Sequence, residues 1–206
     1  MHISEGFLSP QALAAGWTIT AAGVAWGLKK MDQEKIVRVA MASSVFFLAS
    51  LVNIRVGPSS AHLALIGPIG LILGWTAFPA ILTALLLQAV LFQFGGILVL
   101  GANTTVMAAP AVLVYLVFGQ AVRGAGKKNA KIAGAAAFLA GSLAVMASAG
   151  IAGMFLFLSD REMALTAKTI LAVHLPLSII EGAAALFMTI FLKRTFPDIL
   201  SGVERS

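Results

Sequence analysis

Three histidines and one acidic residue carry most of the chemistry that this sequence offers. The chain has no cysteine, so thiolate metal sites and iron–sulfur clusters are excluded. Its three histidines are His2, His62 and His174, and imidazole is the commonest metal ligand in proteins. Glu181 stands inside a long apolar run, where a carboxylate is costly and normally needs a partner. These four residues are therefore the candidates for metal binding or for acid–base chemistry.

Position two gives His2 a chelating geometry that the other histidines lack. The Met1 amine, the His2 amide nitrogen and the His2 Nδ1 can close a five-membered and then a six-membered ring on one metal ion. Ni²⁺ and Cu²⁺ favour such planar nitrogen sites, and one further imidazole completes four ligands. A Met-His start is by itself a weak signal. The first ten residues contain Glu5 and no Lys or Arg, unlike a secretory signal, so we expect Met1 to be the mature first residue.

Composition places these residues in a membrane protein. Hydrophobic residues make up 60% and charged residues 11% of the 206 residues, against about 45–50% and 25% in soluble domains. Each apolar run is compared with the roughly 20 residues that cross a bilayer, and none alternates as a barrel strand does. We predict seven transmembrane helices, at about 10–28, 36–54, 60–75, 77–99, 105–122, 132–158 and 169–192.

The basic residues predict the orientation of these helices. With the N-terminus outside, eleven basic residues fall on inner connections and three on outer ones, which agrees with the positive-inside rule. The net charge of +6 is therefore a topology signal and does not indicate nucleic-acid binding. The inner set is Lys29, Lys30, Lys35, Arg38, Arg123, Lys127, Lys128, Lys131, Lys193, Arg194 and Arg205, and the outer set is Arg55, Arg161 and Lys168.

The predicted architecture is all-α: a polytopic membrane helical bundle of seven transmembrane helices, N-terminus outside and C-terminus inside. We predict a single membrane domain over residues 1–206. It comprises an N-terminal loop at 1–9, the helices at 10–193 and a cytoplasmic tail at 194–206. All three histidines then lie in the outer half, together with Ser59, Ser60 and Asn103, which suggests a site open to the exterior.

Structural roles compete with functional ones for each candidate. His62 could be an interfacial histidine bonded to a carbonyl, and His174 could satisfy backbone groups freed by Pro176. His174, Ser178 and Glu181 share one helix face. Glu181 could relay protons, carry a cation or pack as a neutral hydrogen-bonded group. No ATP-binding loop or hydrolase motif occurs in the chain, so uphill transport would need partners or an ion gradient.

Four stretches resemble the CbiM/NikM family, the substrate-binding membrane subunits of energy-coupling-factor (ECF) transporters for cobalt and nickel. They are the start MHISEGFLSP (1–10), GPSSAHL (57–63), FQFGGILVLGAN (92–103) and the segment from His174 to Gly182. Many members have a Gly-Gly-Thr-Ser type of turn where this chain has GPSS. The resemblance covers essentially the whole chain and leaves the choice between nickel and cobalt open.

By this resemblance, the metal ligands are the Met1 amine, the His2 amide and imidazole nitrogens and the His62 imidazole. Ser59, Ser60, Asn103, His174 and Glu181 become supporting or structural candidates. The implied substrate is Ni²⁺ or Co²⁺, with cobalt supplying cobalamin synthesis.

The resemblance also implies partners and a location. The partners are ATPase subunits, a transmembrane coupling subunit and often a small accessory membrane subunit, in a prokaryotic inner or plasma membrane. ATP hydrolysis then belongs to those partners and not to this chain. Two other classes stay open on the residues alone. One is an intramembrane enzyme with His174 and Glu181 as acid–base residues on a lipid-derived substrate, and the other is a passive channel.

Overall fold

The structure is a computed structural model that describes residues 2–51, 53–124, 130–196 and 199–200. These residues contain seven α-helices and one β-hairpin. Short 3₁₀ turns at Gly74–Thr76 and Arg161–Met163 precede the fourth and seventh helices. The helices are α1 (Pro10–Lys29), α2 (Gln33–Ala49), α3 (Ile66–Leu73), α4 (Ala77–Phe92), α5 (Leu100–Gly124), α6 (Ala130–Ser159) and α7 (Ala164–Thr195), and the strands are β1 (Asn53–Val56) and β2 (Ser59–His62).

Helix α5 is the centre of the bundle, in contact with α1, α3, α4 and α6. Glycines allow the backbones to approach closely, since a Cβ on Gly16 of α1 would collide with the backbone of Ala102 in α5. Trp17 of α1 donates to the Leu98 carbonyl just before α5, and Thr20, about one turn later, contacts Thr105. Residue numbers therefore rise together along both helices, so α1 and α5 run in the same direction.

Helix α3 also runs in the direction of α5. Gly70 lies against Ala111, and Gly74 lies one turn further along, against Tyr115. Gly74 has a φ of +56°, a backbone conformation that glycine adopts without strain. The chain turns at this residue.

Helix α4 runs alongside α2 and opposite to α1, because Gly27 near the end of α1 lies against Pro79 at the start of α4, whereas Gln88 near the end of α4 contacts His2, which precedes α1. The Ser43 hydroxyl donates to the Ala80 carbonyl, and the Gln88 amide donates to the Phe47 carbonyl. Residue numbers thus rise together along α2 and α4. Helices α3 and α4 are therefore antiparallel, and α4 brings its last turn back to the level at which α3 begins.

Residues 53–62 correct the prediction that every apolar run is helical. Strands β1 and β2 pair antiparallel, with Asn53 opposite His62 and Val56 opposite Ser59. Gly57 has a φ of +56°, and Pro58 lacks an amide hydrogen and disfavours a helix interior, so the chain makes a hairpin turn. The predicted helix at 36–54 ends at Ala49, the one at 60–75 starts at Ile66, and the one at 77–99 ends at Phe92.

The chain is a membrane protein. Among the described residues, four helical segments are long and apolar enough to cross a membrane: Ile66–Phe92, Leu100–Gly124, Lys131–Ser159 and Arg161–Thr195. The first of these reverses at Gly74, and its α3 part has only eight residues, about 12 Å of helix. Seven membrane crossings, the side on which each terminus lies and the division into loop, bundle and tail all stay predictions.

Candidate metal centre

The N-terminal segment enters the bundle instead of lying on it. His2 and Ile3 are buried, with relative exposures of 6% and 0%. The amide of Ser4 donates to the Pro58 carbonyl at 3.0 Å, and the amide of Glu5 donates to the Gly95 carbonyl at 3.1 Å. The segment is therefore held between the turn of the β-hairpin and the loop that follows α4.

Asn103, in the first turn of α5, recognises the backbone of Ile3. Its Oδ1 accepts from the Ile3 amide at 2.7 Å, and its Nδ2 donates to the Ile3 carbonyl at 3.0 Å. Both side-chain groups are thus used on the residue that follows His2. Asn103 is buried, so these two bonds form away from water and set the depth at which His2 lies.

Glu5 and two glycines complete the contacts that hold the N-terminal segment in the bundle. The Glu5 carboxylate accepts from the Leu98 amide at 2.9 Å. Gly96 has a φ of +124°, and a Cβ there would overlap the Glu5 side chain. Gly95 has a φ of +76°, and a Cβ there would press on the Asn103 amide. The glycine-rich loop after α4 therefore gives the N-terminal segment the room it needs.

The His2 ring is held by polar contacts on both of its nitrogens. Its Nε2 lies 2.7 Å from Oε1 of Gln88. On the other side, Ser60 Oγ lies 3.4 Å from the His2 backbone nitrogen and 3.5 Å from Nδ1. The two nitrogens that the chelating arrangement requires from His2 therefore face the same hydroxyl.

His62 lies directly beside His2. The centroids of the two imidazole rings are 4.8 Å apart, with the ring planes inclined by 38°. Ser60 and His62 are two positions apart in β2, so their side chains project from the same face of the strand. His62 Nδ1 lies 3.3 Å from the Leu63 carbonyl, which matches the carbonyl-bonded role. Its Nε2 is buried without a hydrogen-bond partner among the described residues.

Burial keeps both imidazoles neutral. It lowers the pKa of His2 to about 3 and the pKa of His62 well below its usual range. Phe94 lies 6.3 Å from His2 between ring centroids, and Phe46 lies 6.4 Å from His62, edge-on. The neutral imidazole is the form that binds metals, so both rings are in the ligating state at neutral pH.

A metal ion between these rings would need further donors in addition to the two imidazoles. Within the described part of the chain, no cluster of three or more His, Cys, Asp or Glu side chains is suited to hold a metal. An open cavity of about 70 Å³ reaches His2 and is lined by polar groups that include Ser4, Asn53 and Ser60.

Glu181 has a structural role at the entrance to α3. One carboxylate oxygen accepts from the amides of Ala64 and Leu65, at 2.5 and 2.9 Å. Leu65 has a φ of +52°, so Glu181 stabilises an uncommon backbone turn. That turn joins α3 to β2, the strand that carries His62. Glu181 therefore supports the position of His62 from a distance.

His174 is buried in α7 and bonded within its own helix. Its Nδ1 lies 2.7 Å from the Ile170 carbonyl. That carbonyl is not the one left free by Pro176, which belongs to Ala172, four residues before the proline. Ser59 is also buried, and its hydroxyl has no partner among the described residues.

The structure thus brings together five of the predicted site residues: His2, Ser60, His62, Asn103 and Ser59, the last in the lining of the cavity that reaches His2. Met1 lies outside the described residues. Glu181 supports the site indirectly, while His174 shows no contact with His2. Sequence reasoning gave no site role to three groups that hold His2 or its neighbours, namely Glu5, Gln88 and the glycine pair at 95–96. A glutamine inside the apolar run of α4 is the signal in the sequence that could have identified Gln88.

The chain matches a protein-family model over nearly its whole length. The sequence model of CbiM, described as a cobalt uptake substrate-specific transmembrane region, matches residues 2–199. The chain belongs to the CbiM family. This is a transmembrane family of cobalt and nickel uptake, and its members' transport names favour a transport component over the intramembrane enzyme that stayed open on the residues alone.

Relatives of this CbiM family member have transport names. A Haemophilus influenzae protein with a metal-transport name is 35% identical over 99% of this chain and 98% of its own length. The fused nickel transport protein NikMN of Rhodobacter capsulatus is 32% identical over 98% of this chain, which spans 64% of that protein. The crystal structure of a truncated transition metal transporter superposes with a TM-score of 0.76. It is 26% identical and covers 94% of this chain and 99% of its own.

Proposed function

We propose that this chain captures Ni²⁺ or Co²⁺ with high affinity at its N-terminal segment, in which His2 and Ile3 are buried. The proposed ligands are the Met1 amine, the His2 amide nitrogen, His2 Nδ1 and the His62 imidazole. The observation that carries the proposal is the contact between the two imidazole rings, whose centroids are 4.8 Å apart. His2 and His62 are 60 positions apart in sequence and are brought together by the β-hairpin.

The orientation of His2 supports this ligand set. Its amide nitrogen and Nδ1 face the same side, toward Ser60, so both can turn to one metal ion. His62 offers Nε2, which has no hydrogen-bond partner among the described residues. Binding would release the protons of the terminal ammonium and of the His2 amide, because ligand atoms must be deprotonated. Amide deprotonation and planar geometry favour nickel, and cobalt stays an alternative substrate.

Transport follows from placing this site on the outer face. With seven crossings and the N-terminus outside, as the basic residues indicate, the ion is captured from the exterior and delivered inward across the inner or plasma membrane. Energy would come from ATP hydrolysed by ECF ATPase subunits and transmitted by a transmembrane coupling subunit. A small accessory membrane subunit is a third proposed partner. The basic inner loops would face this machinery.

Acetylation of the N-terminal amine tests the terminal ligand. Acetylation removes the basic lone pair and preserves the length of the chain, so we expect nearly complete loss of nickel and cobalt binding in calorimetry on purified protein. His62→Ala should also weaken binding severely and leave the fold intact.

A matched control is His174→Ala, which removes a buried imidazole that shows no contact with His2. It should bind metal like the unmodified chain. If acetylated protein binds nickel as tightly as free-amine protein, the terminal chelate is refuted. If His62→Ala keeps its affinity, His62 leaves the ligand set.

A further inference from the structure

The side chain of Gln88 in α4 is buried and makes hydrogen bonds in which donor and acceptor can be assigned. It is fully buried, with a relative exposure of 0%. Its Nε2 lies 3.3 Å from the Phe47 carbonyl and also contacts Ser50 Oγ. Its Oε1 lies 2.7 Å from His2 Nε2. The glutamine therefore connects the end of α2 to the imidazole of His2.

The Phe47 carbonyl decides which way round the Gln88 amide lies. A carbonyl oxygen can only accept a hydrogen bond, so the group that faces Phe47 must be the NH₂ of Gln88. The Ser50 hydroxyl donates its own hydrogen to the Phe46 carbonyl at 2.6 Å, so it too accepts from this NH₂. A flipped Gln88 would place its oxygen against these acceptors. The carbonyl oxygen of Gln88 is therefore held toward His2.

The same logic then selects the tautomer of His2. Because Oε1 of Gln88 only accepts, His2 Nε2 must carry the hydrogen. A neutral imidazole has a single N–H, which leaves Nδ1 of His2 unprotonated. Nδ1 is the nitrogen that closes a six-membered ring with the His2 amide on a metal ion. The opposite tautomer would present a hydrogen where the metal needs a lone pair.

We infer that Gln88 is a positioning residue that sets the His2 tautomer and so prepares Nδ1 as a metal ligand. This inference rests on the proposed function for its role in metal capture. Partners that fix the tautomer and orientation of a ligating histidine typically change metal affinity about 10- to 100-fold when they are mutated. We expect an effect of that size for Gln88 although it touches no metal.

The experiment combines a tautomer measurement with an affinity measurement. In Gln88→Met the side chain keeps a similar length and loses the acceptor, whereas Gln88→Glu keeps an acceptor for His2. Long-range ¹⁵N correlation spectra of metal-free, histidine-labelled protein report the tautomer, and replacement of single histidines assigns the three rings. Calorimetry with Ni²⁺ gives the affinity. Ser43→Ala is the matched control, because it removes a buried hydrogen bond to Ala80 at the same α2–α4 interface.

We expect the Nε2–H form of His2 in the unmodified chain, in Ser43→Ala and in Gln88→Glu. In Gln88→Met we expect a mixture of tautomers and a nickel affinity lower by about 10- to 100-fold. Unchanged tautomer and affinity in Gln88→Met would overturn the inference, even if the variant were less stable. A wild-type chain that shows the Nε2–H form and binds neither Ni²⁺ nor Co²⁺ would refute the proposed function and leave the tautomer assignment standing.

Discussion

Asn103 offers the sharpest test of how the N-terminal segment is held. Its side chain makes two hydrogen bonds to the backbone of Ile3, at 2.7 and 3.0 Å. In Asn103→Leu both bonds are lost while the number and the branching of the side-chain heavy atoms are kept. The Ile3 amide and carbonyl are then left without these partners in a buried place. The N-terminal segment should therefore be undocked from the bundle for a larger fraction of the time.

The size of the effect follows from the number of bonds. Each hydrogen bond contributes about 0.5–1.5 kcal/mol net, so two bonds contribute about 1–3 kcal/mol to docking of the segment. If metal binds only the docked segment, the apparent affinity falls with the docked fraction. A free-energy difference of about 1–3 kcal/mol corresponds to a fall in affinity of up to about 5- to 150-fold.

Calorimetry with Ni²⁺ on the purified variant measures this fall, and a thermal unfolding curve measures stability in parallel. Thr105→Val is a matched control on the same helix. It removes the bond to the Gly16 carbonyl and the contact with Thr20, and neither involves the N-terminal segment. We expect Thr105→Val to lower stability and keep the affinity. An Asn103→Leu protein that binds nickel like the unmodified chain would refute the role given to Asn103.

Three further predictions concern the supporting structure. Glu181→Gln keeps an acceptor for the Ala64 and Leu65 amides and should unfold near the wild-type temperature. Glu181→Leu leaves these two buried amides unpaired, which should lower the free energy of unfolding by about 1–3 kcal/mol for each amide. Equal melting temperatures for the two variants would argue against this role of Glu181. Burial lowers the pKa of His2 to about 3, so its imidazole resonances should not titrate between pH 7 and 5. Below about pH 6.5 the unfolded chain takes up a proton that the folded chain refuses, so stability should fall with pH there; titration of His2 near its ordinary pKa would show that the ring is not buried. Single cysteines placed at 124–131 in this cysteine-free chain should react with membrane-impermeant reagents only from the inner side, and labelling on intact cells would contradict the predicted orientation.

The sequence determined the class of the protein and identified the main members of its candidate site. Composition and apolar runs predicted a helical membrane protein, because the cost of burying charge and unpaired backbone in lipid acts on every residue of a span. Chain order alone placed His2 where amine, amide and imidazole nitrogens can share one ion. Those inferences need only local chemistry, and they agree with the family and with the contact between His2 and His62.

Tertiary structure decided the elements whose conformation depends on their neighbours. The predicted helices at 36–54 and 60–75 included residues 53–54 and 60–62, yet these residues pair as strands, since Gly57 and Pro58 form a turn and β2 lies beside the buried His2. The role of Glu181 is equally non-local, because its partners, the amides of Ala64 and Leu65, lie more than a hundred positions away. Gln88 looked like any polar residue between helices. Its importance depends on which atom faces Phe47 and which faces His2, and only the packed bundle specifies that orientation.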